Sequence, residues 1–392
     1  MNRKYLRDVA DIQTGPFGSQ LHKEDYVAVG TPIVTVEHLG NRVFTEQNLP
    51  NVSDEDKARL SKYVLAEGDI VFSRVGSVDR CSYVDAAHDG WMFSGRCLRV
   101  RPNSEIDSLY LYYFFCLEET KQFVRSIAVG ATMPSINTKL LGEVEVTFPS
   151  VIDQQKIAAI LSALDEKIET NQKINDNLYE MVNAYYTSLF KDVECKLTTI
   201  GNYAERIYSG GTPTTSNATY WDGAFGWFSS GETRNRFVIS TEKTITQAGI
   251  DNSSTKLAAK HDIVIASAGQ GFTRGQTSML LIDTYVNQSV IVIHADRNVL
   301  PYLFWNLANR YEELRAISDS SSIRGSLTTK MISAFEIPLA NEESLQAFAD
   351  FSWSVIPQIE NNLLENERLA ALRDSLLPKL MSGEIDVSGI QL

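Results

Sequence analysis

A helical pattern of apolar residues occurs twice in this chain, 191 residues apart, and this duplication limits the available folds more than any other feature. The first copy covers residues 157–189, where apolar side chains recur every three or four positions, as on one face of a long helix. Each copy interrupts its apolar stripe with two asparagines. Identical residues occupy five equivalent positions, where composition alone gives about one: Ile168/Ile359, Glu169/Glu360, Asn171/Asn362, Asn175/Asn366 and Leu178/Leu369.

The segments that precede the two helices repeat more weakly. Three pairs of segments correspond at offsets of 191, 193 and 191: Leu6–Val9 with Leu197–Ile200, Asp69–Val71 with Asp262–Val264, and Thr138-Lys139 with Thr329-Lys330. The order is therefore globule, helix, globule, helix, with predicted boundaries at 1–150, 151–195, 196–341 and 342–392. Because the globules differ more than the helices, the repeat predicts a constant framework that presents two different surfaces.

Strand patterns predominate within both globules. Apolar or alternating runs bounded by Gly, Pro, Asn or Asp predict strands at Thr31–Val36, Asp69–Ser73, Gly95–Val100, Glu143–Phe148, Asp262–Ala266, Met279–Ile282, Val286–His294 and Ala334–Pro338. A helical pattern near the end of each globule predicts helices over Leu109–Val124 and Tyr302–Ala316. The predicted fold class is α+β, with two repeated globular domains joined and spaced by two long helices.

Composition excludes several classes of protein. Hydrophobic residues make up 43% of the chain, enough for packed cores, and no run of about 18 uncharged apolar residues offers a membrane helix. The first residues lack the apolar stretch of a signal peptide, so we expect a soluble cytoplasmic protein with no membrane contact. The spacing of the cysteines matches neither a zinc site nor a disulfide framework: Cys81, Cys97, Cys116 and Cys195.

The net charge of −13 is unusual for a chain that binds nucleic acid by itself. The excess is concentrated in the helical segments, which carry −4 in residues 151–195 and −6 in residues 342–392. The globules carry only −4 and +1. The acidic helices therefore need not face the same partner as the globules.

Motifs for catalysis and metal binding are missing from the sequence. No Pro-Pro pair occurs, which argues against the Asn/Asp-Pro-Pro-aromatic tetrapeptide of a DNA amino-methyltransferase. The glycine-rich run Gly269–Gly275 continues into a strand pattern, which favours a turn or a DNA-facing loop over nucleotide binding. The five histidines lack ligand spacing, and Glu55-Asp56-Lys57 fits a solvated helix face better than a nuclease carboxylate set. We therefore expect no catalytic residue, metal or cofactor on this chain.

Polar, glycine-bearing loops are the remaining candidates for function. Their side chains can contact phosphates or base edges, and ordinary surface turns are the alternative for each loop. In the first globule the candidate DNA-binding residues are Thr14, Phe17, Ser19, Gln20, Ser73, Arg74, Ser77, Arg80, Thr132, Ser135 and Lys139. In the second globule they are Thr212, Thr214, Arg234, Arg236, Ser267, Gln270, Arg274, Ser322, Arg324, Ser326 and Lys330.

Three segments resemble one family. Residues 148–168, FPSVIDQQKIAAILSALDEKI, resemble the central helical region of the specificity (S) subunit of type I restriction-modification systems. Residues 372–385, LRDSLLPKLMSGEI, are similar to the C-terminus of that family. Residues 130–137, GATMPSIN, resemble a pattern near the end of each target-recognition domain.

This resemblance implies a DNA-binding specificity subunit without a catalytic site. Residues 1–150 and 196–341 would be target-recognition domains, each reading one half of a bipartite double-stranded DNA target. The helices would dock two modification (M) subunits, which bind S-adenosylmethionine, and restriction (R) subunits, which use ATP, would join in the full complex; Mg is likewise expected on partner subunits. The alternatives are a diverged DNA-modifying or DNA-cleaving enzyme and a bivalent scaffold that does not bind DNA.

The two helices are expected to pack antiparallel around a pseudo-twofold axis, like a coiled coil. That pairing sets Asn171 and Asn175 against Asn366 and Asn362, where buried amides would fix the register. Pro357 lies inside the second stripe, so the second helix is expected to start or kink there. A helix over residues 153–190 would be about 57 Å long, which suits half-sites separated by roughly one to one and a half DNA turns.

Two loops receive a specific hypothesis. Aligning Asp69 with Asp262 places Gly76 on Gly269, so Arg74 and Arg274 lie in loops that leave equivalent strands. Each arginine would read one half of the target, where a bidentate guanine contact is worth about 1–3 kcal/mol of selectivity.

Overall fold

The structure, a computed structural model, describes residues 1–16, 18, 20–190, 196–269, 271–319 and 325–390. These residues form two compact units. Unit 1 contains Met1–Ile168 and the C-terminal residues from Arg368 onward, and unit 2 contains Glu169–Glu367. Each long helix therefore contributes one part to each unit. Cys195 lies outside the described residues.

Unit 1 begins with a short strand and one helical turn and then alternates strands with helices. Its strands are β1 (Asn2–Tyr5), β2 (Ala10–Thr14), β3 (Tyr26–Val27), β4 (Thr31–Val34), β5 (Asn51–Val52), β6 (Ile70–Ser73), β7 (Cys81–Tyr83), β8 (Met92–Phe93), β9 (Cys97–Pro102) and β10 (Glu145–Phe148). Its helices are α1 (Leu6–Val9), α2 (Asp54–Arg59), α3 (Ser108–Cys116), α4 (Glu118–Ile127), α5 (Thr138–Gly142) and the start of α6 (Val151–Phe190).

Unit 2 repeats this order of elements. Its strands are β11 (Leu197–Thr199), β12 (Ala204–Ser209), β13 (Trp221–Phe228), β14 (Phe237–Val238), β15 (Lys243–Ile245), β16 (Lys256–Ala258), β17 (Ile263–Ala266), β18 (Thr277–Leu280), β19 (Thr284–Val286), β20 (Val290–Ala295) and β21 (Glu336–Pro338). Its helices are α7 (Ile200–Tyr203), α8 (Gln247–Asp251), α9 (Leu300–Ala308), α10 (Tyr311–Asp319), α11 (Thr329–Ser333) and the larger part of α12 (Glu342–Ser382).

The central sheets of the two units share the order of four strands, to which unit 2 adds β14 at one edge. Unit 1 has the strand order β2-β9-β6-β7, and unit 2 has β12-β20-β17-β18-β14. A second sheet follows in each unit, ordered β3-β5-β4-β8 and β15-β13-β19-β16, and a strand pair closes each globule, β1 with β10 and β11 with β21. The predicted α+β class is thus confirmed, and the sequence repeat extends to strand order.

A buried aspartate marks the same position in both central sheets. In unit 1 the carboxylate of Asp69 accepts two hydrogen bonds from Arg101, at 2.6 and 2.7 Å. In unit 2 Asp262 Oδ1 lies 2.6 Å from His294 Nδ1. Oδ2 of Asp69 also accepts a hydrogen bond from the backbone N–H of Ala66 at 2.8 Å, and Oδ2 of Asp262 accepts one from the backbone N–H of Ala259 at 2.9 Å. The two units therefore share the buried aspartate, but its basic partner is arginine in unit 1 and histidine in unit 2.

One short aromatic helix fills the core of each unit. Helix α3, SLYLYYFFC, is buried on almost every side, and α9, LPYLFWNLA, is buried in the same way. A helix that is apolar all round is stable only inside a core. Burial raises the pKa of the Tyr113 phenol, and the negative charge of the nearby Asp165 carboxylate raises the pKa of this phenol further. The Tyr113 hydroxyl therefore stays protonated and donates to Asp165 Oδ2 at 2.6 Å.

The long helices run antiparallel within unit 1. Near the start of α6, Lys156 Nζ donates to the backbone carbonyls of Val387 and Ser388, at 3.2 and 2.8 Å. Further along α6, Asp165 pairs with Arg373 of α12 at 2.5 Å. Apolar residues from both helices complete the core of unit 1: Ile157, Ala158, Leu161, Leu377, Leu380 and Met381.

In unit 2 the same antiparallel direction brings the four asparagines together in pairs. Asn171 Nδ2 donates to Asn366 Oδ1 at 2.8 Å and to Glu365 Oε2 at 2.7 Å. Asn362 Nδ2 donates to Asn175 Oδ1 at 2.7 Å. Asn171 and Asn362 are buried. These are the pairs that the antiparallel alignment predicts, and their role in fixing the register stays a prediction.

Helix α12 continues through Pro357, so the expected start at that residue is wrong. The helix begins at Glu342, which lies 191 residues after Val151, the first residue of α6. Pro357 is on the exposed side of the helix, while Val355, Ile356 and Ile359 are buried. Core packing of the opposite face thus holds the helix together where proline removes one backbone hydrogen bond.

Three predicted elements are each divided in two. The predicted strand Val286–His294 is β19 and β20, because the side chain of Asn287 accepts from Ser289 N at 2.9 Å and forms a turn. The predicted helix Leu109–Val124 is α3 and α4, separated by buried Leu117, whose ψ of 132° is extended. The predicted helix Tyr302–Ala316 is likewise α9 and α10. None of the described helices is long and apolar enough to cross a membrane.

We predict that the amide pairs in unit 2 are coupled. Asn171→Leu removes the donor that Asn366 and Glu365 accept from, and it should lower the free energy of unfolding by about 1–3 kcal/mol. Asn171→Leu combined with Asn366→Leu replaces both amides with apolar groups and should regain most of that loss. Urea denaturation followed by circular dichroism measures both.

Gln172→Leu, an exposed position on the same helix, is the matched control and should change stability by less than about 0.5 kcal/mol. If Asn171→Leu alone stabilises the protein, the amide pairing does not hold these helices in register.

Candidate nucleic-acid interface

Loops from four parts of unit 1 meet around Arg74. Its backbone N–H donates to the carbonyl of Arg96 at 2.8 Å, and its own carbonyl accepts from Ile136 N at 2.9 Å. The carbonyl of Pro134 accepts from Gly76 N at 2.8 Å, and Gly15 N donates to the carbonyl of Cys97 at 3.2 Å. We call residues 14–16, 73–77, 94–96 and 129–136 loop cluster 1.

Unit 2 repeats the two backbone hydrogen bonds of Arg74 and also ties a glycine loop to this turn. Ser267 N donates to the carbonyl of Ser289 at 2.9 Å, and the Ser267 carbonyl accepts from Leu327 N at 2.9 Å. Gly210 N donates to the carbonyl of Asn287 at 3.2 Å. We call residues 209–214, 267–269, 271–275, 287–289 and 325–327 loop cluster 2. Arg74 is therefore equivalent to Ser267, and Arg96 to Ser289, at the offset of 193.

Glycine is required where the first loop of each cluster passes the sheet. A Cβ added to Gly15 would lie 2.1 Å from the carbonyl oxygen of Ser94, and one added to Gly210 would lie 2.0 Å from that of Val286. Neither distance is possible for a side chain, because carbon and oxygen atoms in contact stay more than about 3 Å apart. The close approach fixes the first loop of each cluster against the turn that precedes β9 in unit 1 and β20 in unit 2.

In unit 1, six of the predicted residues belong to loop cluster 1. Ser73 is buried and its hydroxyl donates to Val75 O at 2.8 Å, while half-buried Arg74 donates through Nη1 to Gly95 O at 3.1 Å. The Ser135 hydroxyl donates to Val129 O at 3.1 Å. The other three members are Thr14, Ser77 and Thr132, of which Ser77 and Thr132 are exposed.

Three predicted residues of unit 1 lie elsewhere. Gln20 accepts from the hydroxyl of Tyr63 at 2.8 Å and is turned toward α2, and exposed Arg80 lies beside Gly40. Lys139 is exposed on α5. The predicted residues Phe17 and Ser19 lie outside the described residues.

In unit 2, five predicted residues belong to loop cluster 2. The Thr212 hydroxyl donates to the side chain of Gln288, and Thr214 is exposed. Ser267 is buried at the centre. Arg274 is only 13% exposed, because its guanidinium donates to Gly325 O and forms an ion pair with Asp319. The fifth member is Ser326. A direct base contact by Arg274 stays a prediction, and its described contacts are internal.

The other predicted residues of unit 2 are outside this cluster. Arg236 packs against α6, 3.4 Å from Asp176 and 4.3 Å above the ring of Tyr179. Arg234 pairs with Glu242, and Lys330 is exposed on α11. The predicted residues Gln270, Ser322 and Arg324 lie outside the described residues.

Comparison with known families agrees with this architecture. The chain matches the type I restriction modification DNA specificity domain over residues 1–180 and 193–367. The chain belongs to this family. The two matched segments each contain one loop cluster.

Relatives of the same length support the assignment. The specificity subunit of the type I restriction enzyme MjaIX from Methanocaldococcus jannaschii is 21% identical, over 98% of this chain and 93% of the relative. The HindI specificity subunit of Haemophilus influenzae is 22% identical, over 88% of this chain and 92% of the relative. A type I restriction-modification S subunit from M. genitalium has a similar fold, with a TM-score of 0.61 at 17% identity over 97% of this chain and 95% of that structure.

Two cysteine thiols of unit 1 are held protonated by burial. Burial raises the pKa of the Cys97 thiol to about 12 and of the Cys116 thiol to about 11, so neither is a nucleophile near neutral pH. Across the described residues, no three His, Cys, Asp or Glu side chains are grouped so that they could hold a metal ion. The strand β18 follows the glycine-rich run Gly269–Gly275, in agreement with the predicted turn.

Sequence reasoning missed several exposed residues of the loop clusters, among them Arg96 and Gln288. Both lie within predicted strands, Gly95–Val100 and Val286–His294. In the structure they occupy the turns before β9 and β20. The dipeptide Ser94-Gly95 and the sequence Asn287-Gln288-Ser289 are turn signals that could have located them.

We predict that Arg96 and Arg74 both affect the half-site read by unit 1. Arg96→Ala removes an exposed guanidinium from the centre of loop cluster 1, and Arg74→Ala removes the bond that holds Gly95. Each should relax base selectivity in one half-site by about 1–3 kcal/mol and leave the other half unaffected. Competition binding with duplexes randomised in either half measures this.

Lys62→Ala, which removes an exposed cation between α2 and β6 outside the cluster, serves as the control for a loss of charge. A uniform loss of affinity across all sequences, with a shallower salt dependence, would reassign either arginine to phosphate contact.

Proposed function

We propose that this chain is the specificity subunit of a type I restriction-modification complex and binds a bipartite double-stranded DNA target. Loop cluster 1 reads one half and loop cluster 2 the other. One observation carries the proposal: equivalent backbone hydrogen bonds position the loops in both units, while the side chains that they present differ. Arginine at 74 and 96 stands where unit 2 has serine, so each cluster offers a different set of donors and acceptors to base edges.

The proposed role is recognition without catalysis. The absence of methyltransferase motifs from the sequence and the high thiol pKa values support this view. Two modification subunits would bind S-adenosylmethionine and transfer the methyl group, and restriction subunits would use ATP and Mg. This division assigns the reacting cofactors to partners and target choice to this chain.

The long helices suit a second role in assembly. They carry most of the excess negative charge, which favours contact with protein surfaces over contact with phosphates. Helix α6 has 40 residues and α12 has 41, so each is about 60 Å long. We propose that these helices dock the modification subunits and set the distance between the two half-sites.

We predict that methylation requires both this chain and a modification subunit. The full chain expressed with the modification subunit of its system should produce N6-methyladenine at one bipartite motif, because target choice and methyl transfer lie on different subunits. Single-molecule sequencing of genomic DNA measures the motif. Either subunit alone should give no such signal.

A matched variant makes this experiment specific. Arg96→Ala should degrade one half of the motif and leave the other half intact. Methyl transfer by the isolated chain would instead establish a diverged enzyme, and a complex without any motif would favour a scaffold that does not bind DNA.

We predict that helix length controls the spacer. One heptad inserted after Ile168 in α6 and one after Glu367 in α12 keeps the apolar stripes in phase and adds about 10 Å. The preferred spacer should lengthen by about three base pairs, since DNA rises 3.4 Å per pair. The same methylation mapping measures the spacer, and an insertion in α6 alone is the control that should abolish recognition. An unchanged spacer in the double insertion would exclude the helices as the ruler.

A further inference from the structure

Phe272 is the most exposed aromatic side chain of loop cluster 2, with 81% of its surface in solvent. The backbone around it is held from three directions. Arg315 donates to the carbonyl of Gly271, the Tyr311 hydroxyl donates to that of Phe272 at 2.9 Å, and Arg274 is tied to Gly325 and Asp319. The backbone at Gly271 and Phe272 is therefore held in a form that leaves a large apolar ring uncovered.

Unit 1 presents a comparable side chain from a different loop. Met133 is 65% exposed at the tip of the segment 129–135. Reciprocal backbone hydrogen bonds between Val129 and Ser135, at 2.8 and 2.9 Å, close this segment. The bond from Gly76 N to Pro134 O joins it to the neighbouring loop. Each loop cluster thus combines a hydrogen-bonded backbone with an exposed apolar side chain, and in unit 1 Val129, 62% exposed, lies at the base of the same segment.

We propose that Phe272 and Met133 are wedges that insert between adjacent base pairs of the target and unstack them. The inference rests on the proposed function, since it concerns how the loop clusters engage DNA. Apolar side chains such as Phe and Met are the groups that proteins use to part a base step and bend the duplex. A loop that is already fixed loses little conformational entropy when its tip inserts.

The surroundings of Phe272 favour DNA over a protein surface. Phe272 is the one large apolar side chain exposed in the described part of loop cluster 2, and the other exposed members of this cluster include Thr214 and Gln288. Protein-docking surfaces present contiguous apolar patches, whereas a single ring among polar donors suits an insertion between bases flanked by groove contacts.

The wedge adds a source of specificity that needs no hydrogen bond to a base. Pyrimidine–purine steps such as TA and CA/TG open at lower energetic cost than other steps. The half-site read by unit 2 should therefore contain such a step at the position where Phe272 inserts, and the half-site read by unit 1 should contain one for Met133.

The experiment uses the full chain assembled with its modification subunits on the duplex found by methylation mapping. 2-Aminopurine replaces each base in turn, and its fluorescence rises when it unstacks. We expect a rise of several-fold at one step in the unit 2 half. Phe272→Ala should abolish that rise and weaken binding about tenfold, while Phe272→Leu, still an apolar wedge, should retain most of the rise. Met133→Ala should abolish the signal in the other half only.

Leu257→Ala provides the matched control. Leu257 is 53% exposed in unit 2 but lies on β16, outside loop cluster 2, so its removal should leave both signals unchanged. Because Phe272 is exposed, Phe272→Ala should melt at the wild-type temperature, which separates a lost wedge from a lost fold.

Four outcomes overturn the wedge. Specific binding without local unstacking, or a fluorescence rise that survives Phe272→Ala, would mean that the ring does not insert. Weaker retention of the modification subunits by Phe272→Ala in the absence of DNA would make Phe272 a protein contact. A wild-type complex that recognises no bipartite motif would instead overturn the proposed function, and the wedge with it.

Discussion

Each unit of this protein is completed by two helical segments that are distant in sequence and run antiparallel. In unit 1 the C-terminal part of α12 supplies Leu377, Leu380 and Met381 to a core that also contains Leu161 of α6. In unit 2 the first half of α12 supplies Phe348 and Ile359 to the core that contains Val182. Neither core is closed without both helices. The duplicated stripe in the sequence is therefore the constraint on which both globules depend.

The two units share a backbone framework and differ in the side chains that this framework carries. The loops of both clusters are positioned by backbone N–H and carbonyl groups, which every residue but proline provides in full. Arginine at 74 and serine at 267 can therefore occupy equivalent positions without a change in loop placement. The buried aspartates follow the same pattern. Asp69 pairs with Arg101, and Asp262 pairs with His294 at the same position in the sheet.

The sequence predicted what local periodicity and duplication encode. Apolar spacing located both long helices, and the expected antiparallel packing set Asn171 against Asn366 across them. It missed features that depend on distant contacts: Leu117 interrupts a helical pattern because the core buries it, and Arg96 reaches loop cluster 1 because β9 pairs with β6. Pro357 misled the prediction because its local cost is offset by packing of Ile356 and Ile359 on the opposite face.

The use of arginine in the loop clusters has a consequence for how affinity is shared in the proposed complex. Arg74 bonds the carbonyl of Gly95, and Arg274 is neutralised by Asp319, so part of the positive charge holds loops in place. The chain as a whole carries −13. Nonspecific attraction to phosphates must then come largely from partner subunits, since such attraction grows with the number of cations at the DNA. Shape, neutral polar groups and apolar tips are left to this chain, and these are the features that distinguish one sequence from another.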